Sequence, residues 1–170
     1  MDVVTETERD RPRSRAVLAG WALVAVLALL GGCTGAPVVE TRSRLVASWS
    51  EATEDWVAEV ATGTGSTVLV TTDAERDAWI DGLPDAVEPD EVARVEHVDL
   101  AEELLVIGGY PRCMEHSRVE VDGDTGEVRF VVYVPHEDEG TVCEWSPMTI
   151  DVWAVPLEEL GGRDPVLVED

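Results

Sequence analysis

Between Arg118 and Val134 the chain alternates in steps of two. Arg118-Val119-Glu120-Val121 sets apolar side chains at every second position, Asp122-Gly123-Asp124-Thr125-Gly126 supplies turn residues, and Val128-Arg129-Phe130-Val131-Val132-Tyr133-Val134 returns. A period of two sends alternate side chains to opposite faces of a strand, and Asp-Gly permits the tight backbone that joins antiparallel neighbours. The stretch is read as a β-hairpin. Whatever else the chain builds must cover the apolar face of that hairpin.

The flanking segments extend the same pattern. Leu104-Leu105-Val106-Ile107 is a continuous apolar run too short for a helix, so it reads as a buried strand, closed by a turn at Gly108-Gly109-Tyr110-Pro111. Thr149 to Val155 is another strand, Leu157 to Leu160 gives about a turn of helix, and Val166-Leu167-Val168 reads as a last edge strand. Upstream, β-branched Ser66 to Thr71 is a short strand. Thr72-Asp73-Ala74-Glu75 is then a capping box, opening a helix that turns Ala74, Ala78 and Trp79 inward and stops at Gly82 before Pro84. Residues 84–97 read as an acidic loop with a turn of helix after Pro89. From Leu45 to Val60, Leu45, Trp49, Ala52, Trp56, Val57 and Val60 recur at spacings of three and four. That predicts a helix with Ser48 or Ser50 as N-cap, Gly63 past its end and both tryptophans in the core. The order of elements predicts an α+β domain: a mostly antiparallel, curled sheet, sandwich- or barrel-like, packed with one or two helices.

Charge and composition remove whole classes of function. The chain carries a formal charge of −24, and all twelve of its basic residues are arginine. Such a surface repels nucleic acid and anionic lipid headgroups, so no nucleic-acid partner is expected. Without lysine there is no P-loop, Schiff-base enzyme or Ser–Lys dyad. Neither a zinc-protease helix motif nor a nucleophile elbow nor a dinucleotide fingerprint occurs. The glycine-rich piece Gly63-Thr64-Gly65-Ser66 lacks the preceding strand of a phosphate loop and reads as a helix stop and turn.

The amino-terminal region follows different rules. Arg9-Asp10-Arg11-Pro12-Arg13-Ser14-Arg15 precedes an apolar run from Ala16 to Leu30, followed by Leu30-Gly31-Gly32-Cys33. Fifteen residues rise roughly 22 Å as a helix, short of a hydrocarbon core of about 30 Å but suited to a signal-peptide core. The order of basic, apolar and small residues before a cysteine resembles the signal sequence and lipobox of bacterial lipoproteins. The resemblance implies cleavage before Cys33, diacylglycerol on its thiol and a location on the outer face of the bacterial cell membrane. It divides the chain into a signal peptide (1–32), a lipidated tether (33–44) and one globular domain (45–170). Four basic and four acidic residues leave with the signal, so residues 33–170 keep 8 arginines against 32 carboxylates. A second likeness covers residues 66–155. The capped helix with Trp79, then Val98-Asp99-Leu100 and Glu103-Leu104-Leu105-Val106-Ile107-Gly108, resembles the C-terminal domain family of PrcB-type lipoproteins. That implies an accessory module linked to a surface protease complex; Gly109-Tyr110 directly after the strand and the two further cysteines depart from the family pattern.

Cys113 and Cys143 are the cysteines left besides Cys33. An even pair of thiols in an exported domain reads as a disulfide. With His116 and His136 nearby in sequence, the same residues read alternatively as a zinc site. Asp122 and Asp124 have the carboxylate spacing that begins a calcium loop, although a hairpin turn uses the same residues. The acids are too numerous for any pair to be singled out as general acid and base, so no catalytic residue, cofactor or resident metal is assigned. The expected function is a membrane-anchored module that binds a protein or ligand outside the cytoplasm. A small extracytoplasmic hydrolase and a zinc- or calcium-binding domain are the alternatives. A binding module calls for an exposed apolar patch, an enzyme for a pocket of titratable groups, and a metal module for converging ligands.

Overall fold

The computed structural model describes residues 42–64 and 67–169. Cys33 and the lipobox, the apolar run 16–30, the tether as far as residue 41, and Gly65-Ser66 lie outside the described residues.

The hairpin is present as read. Strands β4 (His116–Asp122) and β5 (Glu127–Tyr133) pair antiparallel in continuous register from His116 opposite Tyr133 to Asp122 opposite Glu127. Asp122 accepts the backbone N–H groups of Asp124 and Thr125 through its carboxylate, and Gly126 takes a φ of 79° that a side chain would strain. β7 (Val166–Leu167) joins β5 in parallel, so the hairpin becomes a three-stranded sheet in the order β4-β5-β7.

A four-stranded antiparallel sheet lies against it. Its order is β1-β6-β3-β2, from β1 (Arg44–Ser50), β6 (Met148–Pro156), β3 (Glu103–Pro111) and β2 (Val68–Val70). Both faces of this sheet are covered, which is why β3 carries a continuous apolar run rather than an alternating one. Leu104, Val106 and Val155 pack with Val119, Val128 and Phe130 of the hairpin sheet. Leu105, Ile107, Ile150, Val152 and Ala154 pack toward three short helices, α1 (Val57–Thr64), α2 (Asp73–Asp81) and α3 (Pro89–Glu96). The architecture is α+β with two stacked, open sheets; they do not close into a barrel.

Several expectations need correction. Leu45 to Val60 is not one helix: β1 covers Arg44–Ser50, a turn follows, and α1 begins at Val57. Within β1, Ala47 and Trp49 lie two apart and share the helix-covered face, whereas a register shift between Leu45 and Ala47 leaves Leu45 exposed. Ser50 serves the turn, its carbonyl accepting from the backbone of Thr53 and Glu54. The chain reversal still brings Trp49 and Trp56 together, with ring centroids 5.8 Å apart. Arg44, assigned to the tether, is a strand residue that pairs with Ala154. Residues 89–96 form two turns of helix rather than one, because Val92 and Val95 share its inner face and Asp90 and Glu91 suit its positive end. In α2 the capping box of Thr72 and Glu75 is present, yet Ala74 and Ala78 are exposed, and Trp79 and Ile80 supply the inward contacts.

Gly108-Gly109 is not a turn. β3 runs through both to Pro111, and each glycine makes room for a different layer. A Cβ on Gly108 would lie 2.5 Å from Cε1 of Phe130, and one on Gly109 would lie 3.1 Å from Cβ of Ala61 in α1. The two glycines let the hairpin sheet and the helix approach β3 from opposite sides. Gly108→Ala should therefore cost about 1–3 kcal/mol by overpacking. Urea unfolding checks this: Phe130→Leu in the same chain should recover part of the loss, and simple additivity of the two changes would refute the contact.

Candidate functional site

The two ends of the sheets differ in chemistry. At one end lie the first described residues, where Arg42 pairs with Glu158 and Glu159, and Arg44 with Glu103. Glu103 lies opposite Pro156, and the Asp122–Glu127 turn is beside Gly161, so this end is rich in carboxylates. The other end holds the last residues of β1 and β3, the first of β6 and the loops on either side of the hairpin. Along the nine residues of β3 the two ends stand ~27 Å apart.

Near the far end a polar network bridges the sheets. Asp151 of β6 is only 3% exposed and has no cationic partner among the described residues. Its Oδ1 accepts the Ser48 hydroxyl of β1 at 2.6 Å, and its Oδ2 accepts the Tyr110 hydroxyl of β3 at 2.9 Å and the Ser117 hydroxyl of β4 at 2.5 Å. Ser117 in turn accepts Nε1 of Trp153 at 2.8 Å. Three hydroxyl dipoles thus stand in for water around a buried carboxylate, which satisfies it without neutralising it. Registry explains the convergence: Ser48 faces Asp151 across β1 and β6, and Tyr110 lies diagonally across β3 on the same face.

Burial, and then the charge and hydrogen bond of Asp151, push the Tyr110 phenol well above its ordinary value of about 10. The folded form therefore keeps a proton that the unfolded chain gives up near pH 10. Its stabilising contribution is complete below that pH and falls as the pH rises through and above it. Urea midpoints measured between pH 8 and 11.5 should decline above about pH 10. Tyr110→Phe should flatten that decline; an unchanged slope in the variant would refute the assignment.

Beyond the network, two loops are tied together. Cys113, after β3, and Cys143, before β6, form a disulfide with Cα atoms 6.1 Å apart. The backbone N–H of Arg112 donates to the Pro147 carbonyl at 2.8 Å, and that of Met148 to the Glu51 carboxylate at 2.9 Å. Glu115 accepts the Cys113 N–H, and that bond, with those of neighbouring backbone groups, holds its carboxyl below the usual range. The pinned loop carries apolar side chains into solvent. Val142 is 91% exposed and Trp145 60%, and at the end of the hairpin Val132 and Val134 are 40% and 41% exposed. Tyr133 completes this end, with the Arg118 guanidinium 4.7 Å from its ring centroid.

The sequence-level candidates separate as follows. Cys113 and Cys143 meet in the bridge, which uses both thiols and removes the tetrahedral zinc reading. His116 stacks beside Tyr133, and His136, with its side chain 93% exposed, faces Glu139 instead. Asp122 serves its own turn: the N–H of Asp124 first, then that of Thr125, lowers its carboxyl below the ordinary range. No group of three or more metal-ligating side chains is assembled among the described residues. Asp151, Tyr110 and Ser117 were missed. Their only sequence signal is a carboxylate and two hydroxyls at positions that alternation assigns to one face. Trp145, likewise unassigned, sits in a polar loop without periodicity. No protein-family model, curated protein or solved structure matches the chain.

Proposed function

We propose that the chain is a membrane-anchored extracytoplasmic lipoprotein whose domain binds a protein partner through the end of its sheets farthest from Arg44. The observation that carries this reading is the exposed Trp145 and Val142 on a loop held by the Cys113–Cys143 bridge. An exposed tryptophan on a pinned loop offers a large contact area with little ordering left to lose on binding. The lipobox ending at Cys33 supports the anchor, and the PrcB-type likeness of residues 66–155 supports a partner in a surface protease complex. The acidic end at Glu102, Glu103, Glu158 and Glu159 would stand off an anionic membrane while the other end remains accessible.

A photo-cross-linking residue at position 145, introduced into the full chain in intact cells, tests the reading. A discrete adduct to a protein partner is expected, lost when the same residue is placed at the acidic end instead. The membrane fraction should yield an acylated amino-terminal Cys33 peptide, and Cys33→Ser should abolish it. An unmodified Cys33 within a longer chain, or no adduct at position 145, would overturn the anchor or the binding face respectively.

A further inference from the structure

We propose that the open edge of β5 takes up an extended, basic segment of a protein partner as an added strand, beside Phe130 and Val132 and in line with β7. The proposal rests on the reading of this end as a partner-binding surface. β7 accompanies β5 only at Glu127 and Val128. Its bonds there run from Val166 N–H to the Gly126 carbonyl and from Val168 N–H to the Val128 carbonyl. Successive residues of a strand direct their backbone groups to opposite sides. The N–H and C=O of Phe130 and Val132 therefore point to the same edge as those of Val128, while Val131 and Tyr133 face β4. Beyond Val128 no described strand answers them.

The side chains suit an added strand. Val132 lies opposite Ser117 on the inward face of the hairpin, yet it is 40% exposed where Val128 is fully buried. The apolar layer between the sheets is thus left open at this edge, and an extended segment placing apolar side chains at alternate positions would close it. Exposed strand edges are ordinarily blunted by lysine, proline or a bulge. Along Phe130-Val131-Val132-Tyr133 there is none of these. Strand addition combines main-chain hydrogen bonds for affinity with alternate side chains for selectivity.

Charge selects the occupant. Residues 33–170 carry 32 carboxylates against 8 arginines, and Arg42, Arg44, Arg76, Arg118 and Arg129 are already in ion pairs. The neighbouring loop adds Glu137, Asp138, Glu139 and Glu144. A second copy would bring the same negative surface to the edge and be repelled. A segment with lysine or arginine on its outward positions would be attracted.

Amide hydrogen exchange of the full chain in detergent micelles provides the test, with a synthetic peptide of alternating valine and lysine as probe. In the free protein the Phe130 and Val132 amides should exchange quickly and that of Val131 slowly. The peptide should slow the first two roughly ten-fold. Its counterpart with alternate backbone nitrogens methylated, or with glutamate for lysine, should bind about ten-fold more weakly or not at all. Val132→Pro should block binding without breaking the β4 ladder, since its N–H points to the open edge. If that variant fails to fold, the methylated peptide makes the same test from the partner's side. Phe130 and Val132 amides protected in the free protein, protection that grows with protein concentration alone, or equal binding of the methylated peptide would each overturn the proposal. A cross-link at position 145 with no protection along β5 would overturn strand addition while leaving partner binding in place.

Discussion

Asp151→Ala is expected to destabilise the domain by about 3–4 kcal/mol, more than most single substitutions. The cost lies in the donors left behind. Tyr110 and Ser117 are buried, and each would keep a hydroxyl with no acceptor, at about 1–3 kcal/mol apiece. Ser48 is exposed and can turn to water, so Ser48→Ala should cost no more than ~1 kcal/mol. Relief from burying a charge offsets part of the loss, which keeps the total below the sum of the terms. A double-mutant cycle separates this account from simple cavity formation. Tyr110→Phe in the wild-type background removes a good hydrogen bond, whereas in Asp151→Ala it removes an orphaned donor. The two changes should therefore couple by about 1–3 kcal/mol in chemical denaturation. Additivity to within ~0.5 kcal/mol would refute the network as a cooperative unit.

The same residue shows where the sequence stops being legible. In Ile150-Asp151-Val152 the carboxylate occupies the position that simple alternation gives to solvent. That inference fails because both faces of this sheet are covered, and what lies over Asp151 is a hydroxyl from a strand thirty-four residues away. Local pattern is blind to such a partner. It served well where the determining contact is itself local: Thr72 and Glu75 cap α2 across three residues, and Asp122 to Gly126 turns the hairpin within five. It failed again at Gly108-Gly109, where glycine usually punctuates a chain but here admits Phe130 from one side and Ala61 from the other. The fold class followed from the hairpin and the apolar runs. The layering, and with it the exposed Trp145 and the open edge of β5, depended on contacts between distant strands.

Removing the Cys113–Cys143 bridge should have an effect of similar size by a different route. The bond closes a loop of 30 residues that contains the whole β4–β5 hairpin. In the chain-entropy account, opening it returns roughly 3–4 kcal/mol of freedom to the unfolded chain while leaving most folded contacts intact. For a domain of this size that corresponds to a fall of about 10–20 °C in the thermal midpoint. Cys113→Ser with Cys143→Ser, compared with the oxidised full chain by calorimetry, checks it. The local consequence should be sharper than the global one. The Arg112–Pro147 backbone bond and the Glu51 carboxylate at Met148 would still hold the start of β6, so the register of β3 with β6 should persist. The segment between His136 and Trp145 would lose its covalent tie, and its amides should exchange faster while those of Arg118 and Val131, paired across the hairpin, stay slow. A partner that uses Trp145 would then pay the ordering entropy on binding, and its affinity should fall even at temperatures where the domain remains folded. If the doubly substituted chain unfolds at the wild-type midpoint to within about 2 °C, the constraint on the unfolded chain is not what stabilises this end of the domain.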